Sequence, residues 1–176
     1  QPLKHVDVGS RVDGFIAHVA AFREIEVLDI RGFSTKIHNI VSKRVDMMDP
    51  QMDLSDYCDS ISCLHALEHF GLGRYGDRID SQAHLKGWQN IFKLLKQNGK
   101  FYFSVPIGRQ RIEFNAHRVF ALEYLLEMMK DIYHIDSFSY VNDAGNLIKD
   151  AQLTKSSIAT NFSCHFGCGI FELTKR

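Results

Sequence analysis

The sequence lacks any apolar run that approaches the ~20 residues a membrane-spanning helix needs. Its first residues also lack the basic and then apolar pattern of a secretory signal peptide. These absences predict a cytoplasmic protein without a transmembrane segment. The chain opens with Gln1 and enters its first apolar run almost at once. We therefore expect that a longer natural N-terminus has been removed, with any targeting information it carried.

The chain also lacks an excess of charge of either sign. Lys and Arg together number 21, as do Asp and Glu. No global field would attract nucleic acid, so we predict no nucleic-acid partner. Four cysteines are too few for a disulfide framework in 176 residues, and reduced thiols are expected. The run Cys164-His165-x-x-Cys168 resembles part of a zinc site, but no C-x-x-C pair elsewhere accompanies it, so no metal is predicted.

No repeat, low-complexity segment or linker is visible, which predicts a single domain over residues 1–176. Apolar runs alternate with helical patterns, as is typical of an α/β sheet flanked by helices. The patterns predict strands near residues 4–8, 26–30, 44–48, 59–64, 100–105, 133–140 and 169–174. They predict helices near 15–22, 85–95 and 118–130. Asn98 and Gly99 should end the second helix, and Asn115 or His117 should cap the third.

The opening segment reads as strand, glycine turn, helix and strand. Its first apolar run ends in Asp7-Val8-Gly9-Ser10, and Asp29 closes the second run twenty residues after Gly9. This order builds a nucleotide-type pocket at the carboxyl edge of a parallel sheet. The middle glycine of a dinucleotide fingerprint lets the backbone approach a pyrophosphate, but Arg11 stands there. A ligand with adenosine and no phosphate, such as S-adenosylmethionine, does not need that approach.

Polar side chains at the ends of the first three predicted strands are candidate cofactor ligands. Asp29 is placed to accept hydrogen bonds from both ribose hydroxyls, with a merely solvated aspartate as the alternative. Asp7 is placed to receive N–H groups of the turn and orient it, or to face the ammonium group of the ligand. Asp49 is placed to reach an adenine amino group while Met48 packs on the ring. Ordinary core filling stays open for either Met47 or Met48.

The segment after the fourth predicted strand is where a reacting group would lie. His65 is placed to take a proton from an acceptor hydroxyl, because an unperturbed pKa of about 6.5 leaves it neutral at physiological pH. Hydrogen bonding to the backbone is an equally good interpretation of His65. In the glycine-rich loop that follows, Gly71 to Asp77, Tyr75 is placed to stack on an acceptor. Arg74 would either bind an acidic group of that acceptor or pin the loop to Asp77 or Glu68.

A second group of polar side chains follows the fifth predicted strand. Arg109 and Arg111 offer forked donors that suit a carboxylate or phosphate, and His117 lies close by in sequence. We expect these residues to bind a small-molecule or saccharide acceptor, which would then be acidic.

Several motifs together resemble the class I S-adenosylmethionine-dependent methyltransferases over nearly the whole chain. They are Asp7 to Ser10, Val27-Leu28-Asp29, Asp49, Leu67-Glu68-His69 and Asn98 to Pro106. Within that superfamily, the segments Ser62 to Asp77 and Ser104 to Gly108 resemble the family known as domain of unknown function 268. The pattern D-x-G-x-G-x-G keeps only its first glycine, since Arg11 and Asp13 replace the others, although Gly14 offers a turn one place later.

The resemblance implies a Rossmann-like fold with a seven-stranded, mostly parallel sheet, an antiparallel last strand and helices on both faces. It implies S-adenosylmethionine as cofactor. It also implies cofactor contacts at Asp7, Gly9, Ser10, Asp29 and Asp49, and backbone contacts near Cys63 and Leu64.

We therefore expect a methyltransferase that acts on an oxygen of a small or sugar acceptor, such as a hydroxyl of a surface polysaccharide precursor. Such a transfer needs alignment and the loss of one proton, and no metal. Two alternatives stay open. One is a non-catalytic module of the same fold that binds S-adenosylmethionine or adenosine, which the altered glycine pattern favours. The other is a nicotinamide-dependent oxidoreductase, against which Arg11 argues.

Overall fold

A computed structural model describes residues 3–11 and 14–176 of the protein. Within these residues the strands are β1 (His5–Val8), β2 (Ile25–Asp29), β3 (Ile40–Arg44), β4 (Cys58–Leu64), β5 (Leu95–Ile107), β6 (Arg111–Glu113), β7 (His117–Val119), β8 (Tyr133–Val141), β9 (Leu147–Ile148) and β10 (Gly167–Lys175). The helices are α1 (Phe15–Ala20), α2 (Ala83–Leu94), α3 (Leu122–Met129) and α4 (Lys155–Ala159), with 3₁₀ turns at Leu67–His69 and Asn161–Ser163.

Eight of these strands form one sheet in the order β3-β2-β1-β4-β5-β10-β8-β9. The first five of that order run parallel, whereas β10 pairs antiparallel with both β5 and β8. This confirms the Rossmann-like α/β fold, including the antiparallel last strand. The sheet has one strand more than predicted, because the two-residue β9 adds to its edge at β8. Strands β6 and β7 form a separate hairpin.

The order of the sheet reverses at β1, which has β2 on one side and β4 on the other. Helical connections leave in opposite directions from such a point, and a crevice opens beyond the carboxyl ends of the strands. The polar ends of β1, β2 and β4 therefore meet at one place.

Two apolar clusters cover the two faces of the sheet. Val27 belongs to the smaller cluster with Ile16 of α1, whereas Leu28 belongs to the larger cluster with α2 and α3. Successive strand residues point to opposite faces, so α1 lies on one face and α2 and α3 lie on the other. Trp88 of α2 packs its ring 5.2 Å from that of Phe103 in the larger cluster.

Several predicted boundaries were wrong. The third strand lies at Ile40–Arg44 rather than 44–48, and α3 begins at Leu122 rather than near residue 118. The N-cap of α3 is Ala121, so neither Asn115 nor His117 caps it. Helix α2 ends at Leu94, before the predicted stop at Asn98 and Gly99.

Asn98 does have left-handed backbone, with a φ of 60°, but it lies inside β5. It falls where the register with β4 shifts between Cys58 and Ser60. The left-handed residue therefore accommodates an irregularity of the strand pair rather than the end of a helix.

Asp13, which takes the place of a glycine in the opening motif, lies outside the described residues. In the described part of the chain, no helix has both the length and the apolar character needed to cross a membrane.

Candidate functional site

A cavity of about 460 Å³ opens at the carboxyl ends of β1, β2 and β4. Its volume is within the roughly 300–1,000 Å³ typical of small-molecule sites. Residues from the turn after β1, the end of β2, the segment after β3 and the segment after β4 surround it. Among the described residues these are Val8, Gly9, Ser10, Arg11, Gly14, Phe15, Leu28, Asp29, Ile30, Arg31, Val45, Met47, Met48, Leu64, His65, Ala66, His69, Phe70, Tyr75 and Asp77.

The turn after β1 requires a glycine for two reasons. Gly9 has a φ of +78°, and a Cβ atom there would lie 2.8 Å from the Cβ of Ala66. The Gly9 N–H donates to the carbonyl of Leu28 at 2.9 Å, which ties the turn to β2. Asp7 Oδ1 accepts the N–H of Ser10 at 3.1 Å. Asp7 therefore orients the turn from below and is not itself among the residues that line the cavity.

Asp7 belongs to a buried polar network on the α1 face of the sheet. Its Oδ2 accepts the hydroxyl of Ser62 at 2.5 Å, and the same hydroxyl lies 3.1 Å from His5 Nε2. His5 Nδ1 lies 2.7 Å from the hydroxyl of Ser60. Burial raises the pKa of Asp7 to about 6 and lowers the pKa of His5 to about 4. The parallel register of β1 and β4 pairs His5 with Ser60 and Asp7 with Ser62, which places the four side chains together.

Asp29 lies at the end of β2 with only 6% of its surface exposed, and it lines the cavity. Its carboxylate receives three hydrogen bonds from Arg31: from the backbone N–H at 2.7 Å, from Nε at 2.8 Å and from a terminal guanidinium nitrogen at 2.6 Å. Burial opposes ionisation, but these bonds and the charge of Arg31 outweigh it, so the pKa of Asp29 is lowered. The carboxylate is therefore an anion at neutral pH.

Arg31 also connects the end of β2 to the glycine-rich loop. Its guanidinium carbon lies 4.6 Å from the centre of the Tyr75 ring, a cation–π distance. Asp77 holds that loop by accepting the N–H groups of Gly73 and Tyr75, each at 3.1 Å. The end of β2, which forms one wall of the cavity, is thus connected through Arg31 to the glycine-rich loop at its rim.

His65 follows β4, lines the cavity and contacts two other functional groups. Its Nδ1 lies 3.0 Å from Glu68 Oε1, and its Nε2 lies 3.1 Å from the sulfur of Cys168. The contact with Cys168, and then that with Glu68, raises the pKa of His65 above its usual range. This favours the imidazolium form at neutral pH. Because an imidazolium cannot accept a proton, this geometry does not favour the predicted role of His65 as a general base.

The other predicted cofactor residues divide between the cavity and its surroundings. Ser10, Met48 and Leu64 line it, and Met47 joins Met48 on the same wall. Asp49 is exposed, lies outside the lining and accepts the N–H of Gln51 at 2.9 Å. Cys63 is fully buried in the core and is not among the residues that line the cavity.

Of the five predicted acceptor-binding residues, only Tyr75 lines the cavity. Arg74 donates to the carbonyl of Ala116 at 3.5 Å. Arg111 pairs with Glu113, with 2.7 Å between Nε and the carboxylate. Arg109 is exposed beyond β5, and the His117 ring lies 5.1 Å from that of Phe166. The basic group after the fifth strand therefore lies outside the cavity.

Two residues at the site were missed by sequence reasoning. Arg31 was overlooked although it lies only two positions after Asp29, a spacing at which a turn can fold a side chain back onto the carboxylate. Cys168 was considered only as part of a zinc pattern. It lies 103 positions from His65, and no local signal connects the two.

The described residues contain no group of three or more His, Cys, Asp or Glu side chains placed to hold a metal ion. All four cysteines are free.

Comparison with known proteins adds a family and a set of related folds. A family model described as "Caenorhabditis protein of unknown function, DUF268" matches residues 10–164. No curated protein matches the sequence.

Three similar solved structures illustrate the fold. The [4+2]-cyclase SpnF has a TM-score of 0.64 at 13% identity, covering 98% of this chain and 75% of its own. The N-methyltransferase NodS from Bradyrhizobium japonicum WM9, in complex with S-adenosyl-L-homocysteine, has a TM-score of 0.61 at 13% identity, covering 98% and 77%. The Burkholderia thailandensis 1,6-didemethyltoxoflavin-N1-methyltransferase, with bound 1,6-didemethyltoxoflavin and S-adenosylhomocysteine, has a TM-score of 0.64 at 13% identity, covering 97% and 70%. At these identities the likeness establishes the fold alone, and one of the three is a cyclase.

Proposed function

Because the chain belongs to the DUF268 family and has the class I methyltransferase fold, we propose that it binds S-adenosylmethionine and transfers the methyl group to a small molecule. The observation that carries the proposal is the cavity of about 460 Å³ at the reversal point of the sheet, bordered by the Gly9 turn and by Asp29. Ligands of open α/β sheets bind at such a point.

The residues around the cavity fit the proposed cofactor. Gly9 lines the cavity and has no side chain, so its backbone can lie close to a bound molecule. Asp29 offers an anionic acceptor where a ribose would lie, and Met48 offers an apolar surface for a ring. Asp7 would support the turn by accepting the N–H of Ser10 and would not contact the cofactor itself.

Arg31 imposes a condition on this binding. A carboxylate has about four lone-pair positions, and Arg31 already uses three of those on Asp29. Two ribose hydroxyls would need two positions, so the guanidinium must release at least one of its hydrogen bonds. Because Arg31 also contacts Tyr75, this release would loosen the connection between β2 and the loop.

S-adenosylmethionine, when bound, would supply an already activated methyl group. The protein then needs only to exclude water and to align the acceptor, here proposed to be an oxygen of a small or sugar molecule. We assign the acceptor side to the rim formed by His65 and Tyr75. As an imidazolium, His65 would position the acceptor oxygen by donating its Nε2–H, which would have to turn from the sulfur of Cys168 to do so. It would take the proton only in the fraction of molecules in which it is neutral.

The central test is a calorimetric titration of the protein with S-adenosylhomocysteine, in wild type and Asp29→Ala. If ribose hydroxyls bond to Asp29, the variant should bind more weakly by about 1.5 to 3 kcal/mol, the typical worth of hydrogen bonds to a charged group. The matched control is Asp59→Ala. Asp59 also pairs with a cation, Lys96 at 3.0 Å, but it lies near the start of β4, away from the cavity. Equal affinities for the two variants would contradict the role of Asp29, and no binding by folded wild type would contradict the proposal.

A non-catalytic binding module is the second candidate, and the altered glycine pattern favours it. It predicts the same titration result without any transfer. Incubation with methyl-labelled S-adenosylmethionine and a cell extract distinguishes the two, because only a transferase would place label on an acceptor.

A further inference from the structure

Three side chains meet beside the cavity, and the proposed methyl transfer uses only one of them, His65. The Cys168 sulfur lies 3.1 Å from His65 Nε2, and His65 Nδ1 lies 3.0 Å from Glu68 Oε1. The order is thiol, imidazole and carboxylate, as in nucleophilic sites where a base activates a thiol and a third group orients the base.

The sheet itself places the first two members. Cys168 lies near the start of β10 and pairs with Pro106 near the end of β5. The backbone N–H of His65 donates to the carbonyl of Ser104 in the same strand at 2.9 Å. Both residues are thus anchored to β5 at the carboxyl edge, although they are distant in sequence.

Glu68 fixes the orientation of the imidazole. Only 2% of its side chain is exposed, and Oε2 has no hydrogen-bond partner among the described residues. An ionised carboxylate only accepts hydrogen bonds, so His65 Nδ1 must carry a hydrogen. The remaining ring nitrogen, Nε2, is then the atom that exchanges a proton with the sulfur.

The backbone of His65 is held in an uncommon conformation. Its φ is 53°, in the left-handed region that residues other than glycine seldom adopt. Such conformations persist where the surrounding structure enforces them, and they cluster at functional sites. In this conformation His65 bridges the 3₁₀ turn and β10.

Cys168 differs from the other three cysteines in exposure. Cys58 and Cys63 are fully buried, and Cys164 is 7% exposed. Burial raises the pKa of each of these three thiols, to about 12 for Cys58. Cys168 is partly exposed and is paired with a histidine, so it alone of the four combines access with a neighbouring imidazole.

We propose that Cys168 is a nucleophilic thiol, activated by His65 and with Glu68 as the positioning residue, that forms mixed disulfides with low-molecular-weight disulfides. In the reacting pair His65 Nε2 already holds the proton of the thiol, as an imidazolium beside a thiolate, and the thiolate attacks one sulfur of the disulfide. A new sulfur–sulfur bond forms to Cys168 while the original one breaks. The departing thiolate takes the proton from His65, so the exchange needs no further oxidant.

Among the described residues, the titratable groups that interact with His65 are Glu68 and Cys168. His69 belongs to the same surroundings, since its Nε2 lies 3.9 Å from Glu68 Oε1. Glu68 carries the negative charge that favours the imidazolium. A protonated histidine beside a cysteine favours the thiolate, and fast exchange is expected to extend below the pH range of an ordinary thiol.

The test is the rate of reaction of the whole chain with dithiodipyridine, followed optically, with peptide mapping of the labelled cysteine. At neutral pH we expect one fast thiol, mapped to Cys168 and absent from Cys168→Ser. His65→Asn should slow it by roughly tenfold or more, and asparagine also tolerates left-handed backbone. In this variant the rate should rise with pH as for an ordinary thiol.

The controls separate activation from a change in fold. Cys164→Ser should retain the fast phase, as should His134→Asn, which removes an exposed histidine next to Asp136. Glu68→Gln keeps the size of the side chain but removes its charge, so the pH at which the fast phase appears should move upward. A fast phase mapped to another cysteine, or equal rates and pH profiles in wild type and folded His65→Asn, would overturn the proposal.

Discussion

At the scale of the residue, two buried groups beside the site, Asp7 and His5, make the stability of the fold depend on pH in opposite directions. Burial raises the pKa of Asp7 to about 6 from 3.8, so the folded state holds a proton that the unfolded state releases. The contribution of Asp7 to stability therefore falls as the pH rises through that interval. Burial, together with the charge of Arg23, lowers the pKa of His5 to about 4 from 6.5. Its contribution is present above pH 6.5 and is lost as the pH falls toward 4.

Single substitutions of Asp7 and of His5 should reveal how each residue changes the free energy of unfolding with pH. With Asp7→Asn only His5 remains, and the free energy of unfolding should rise with pH more steeply than in wild type, by up to about 1.4 kcal/mol per pH unit. With His5→Gln only Asp7 remains, and the slope should change by a similar amount in the opposite direction. Urea unfolding across this pH interval measures both. Profiles parallel to that of wild type would contradict the assignment.

The glycine of the first turn gives a second prediction for a single residue. Gly9→Ala must place a Cβ 2.8 Å from that of Ala66 and hold left-handed backbone, which costs about 1 to 2 kcal/mol. Because this shifts a wall of the cavity, calorimetry should find S-adenosylhomocysteine bound at least about tenfold more weakly, about 1.4 kcal/mol. Gly145→Ala is the control, since Gly145 has a φ of +81° and no atom within 4 Å of its added Cβ. It should lose stability and keep its affinity; equal losses of affinity would contradict the prediction.

At the scale of the element, α2 is held to the sheet by aromatic packing. The Trp88 ring lies 5.6 Å from Phe101 and 5.4 Å from Tyr133, and its Nε1 donates to the carbonyl of Met128 at 3.1 Å. We expect Trp88→Ala to lower the free energy of unfolding by about 3 to 5 kcal/mol, measured in urea. Lys93→Ala, on the exposed side of the same helix, should change it by less than about 0.5 kcal/mol. A loss of only about 1 kcal/mol for Trp88→Ala would show that the sheet and α2 are held together by other contacts.

The elements that sequence predicted well are those with a buried face. Strands β1, β2 and β4 and helix α2 have apolar patterns because their side chains fill the core. Strand β3 lies at the edge of the sheet and is mostly exposed, so its pattern is weak, and the nearby apolar Met47 and Met48 drew the prediction too far along the chain. The three-residue strands β6 and β7 are too short to show the alternation of apolar and polar residues that identifies a strand in the sequence.

In the candidate site, residues specified by a local motif were predicted, whereas contacts that depend on side-chain direction or on the whole sheet were not. Gly9 and Asp29 follow from a local motif, and both line the cavity. Arg111 was misplaced because its sequence position specifies the edge of the sheet but not the direction of its side chain, which turns to Glu113. The contact of Cys168 with His65 depends on the antiparallel insertion of β10, which is a property of the whole sheet.

At the scale of the whole molecule, ligand binding should stabilise the protein against heat. A ligand at about one hundred times its Kd adds about 2.7 kcal/mol to the stability of the folded state. For a chain of this length that corresponds to a rise in Tm of about 5 to 10 °C. S-adenosylhomocysteine should produce the rise in a thermal melt, and NAD should not. The reverse result would favour the oxidoreductase alternative.

Strand β10 follows β8 and β9 in sequence but lies between β5 and β8 in the sheet. Until its residues leave the ribosome, β8 and β9 have no partner through which to join the five parallel strands, and β5 presents an unpaired edge. Such edges are templates for pairing with other chains. The nascent protein should therefore depend on chaperones for the interval before β10 is synthesised, and then close its sheet in one late step.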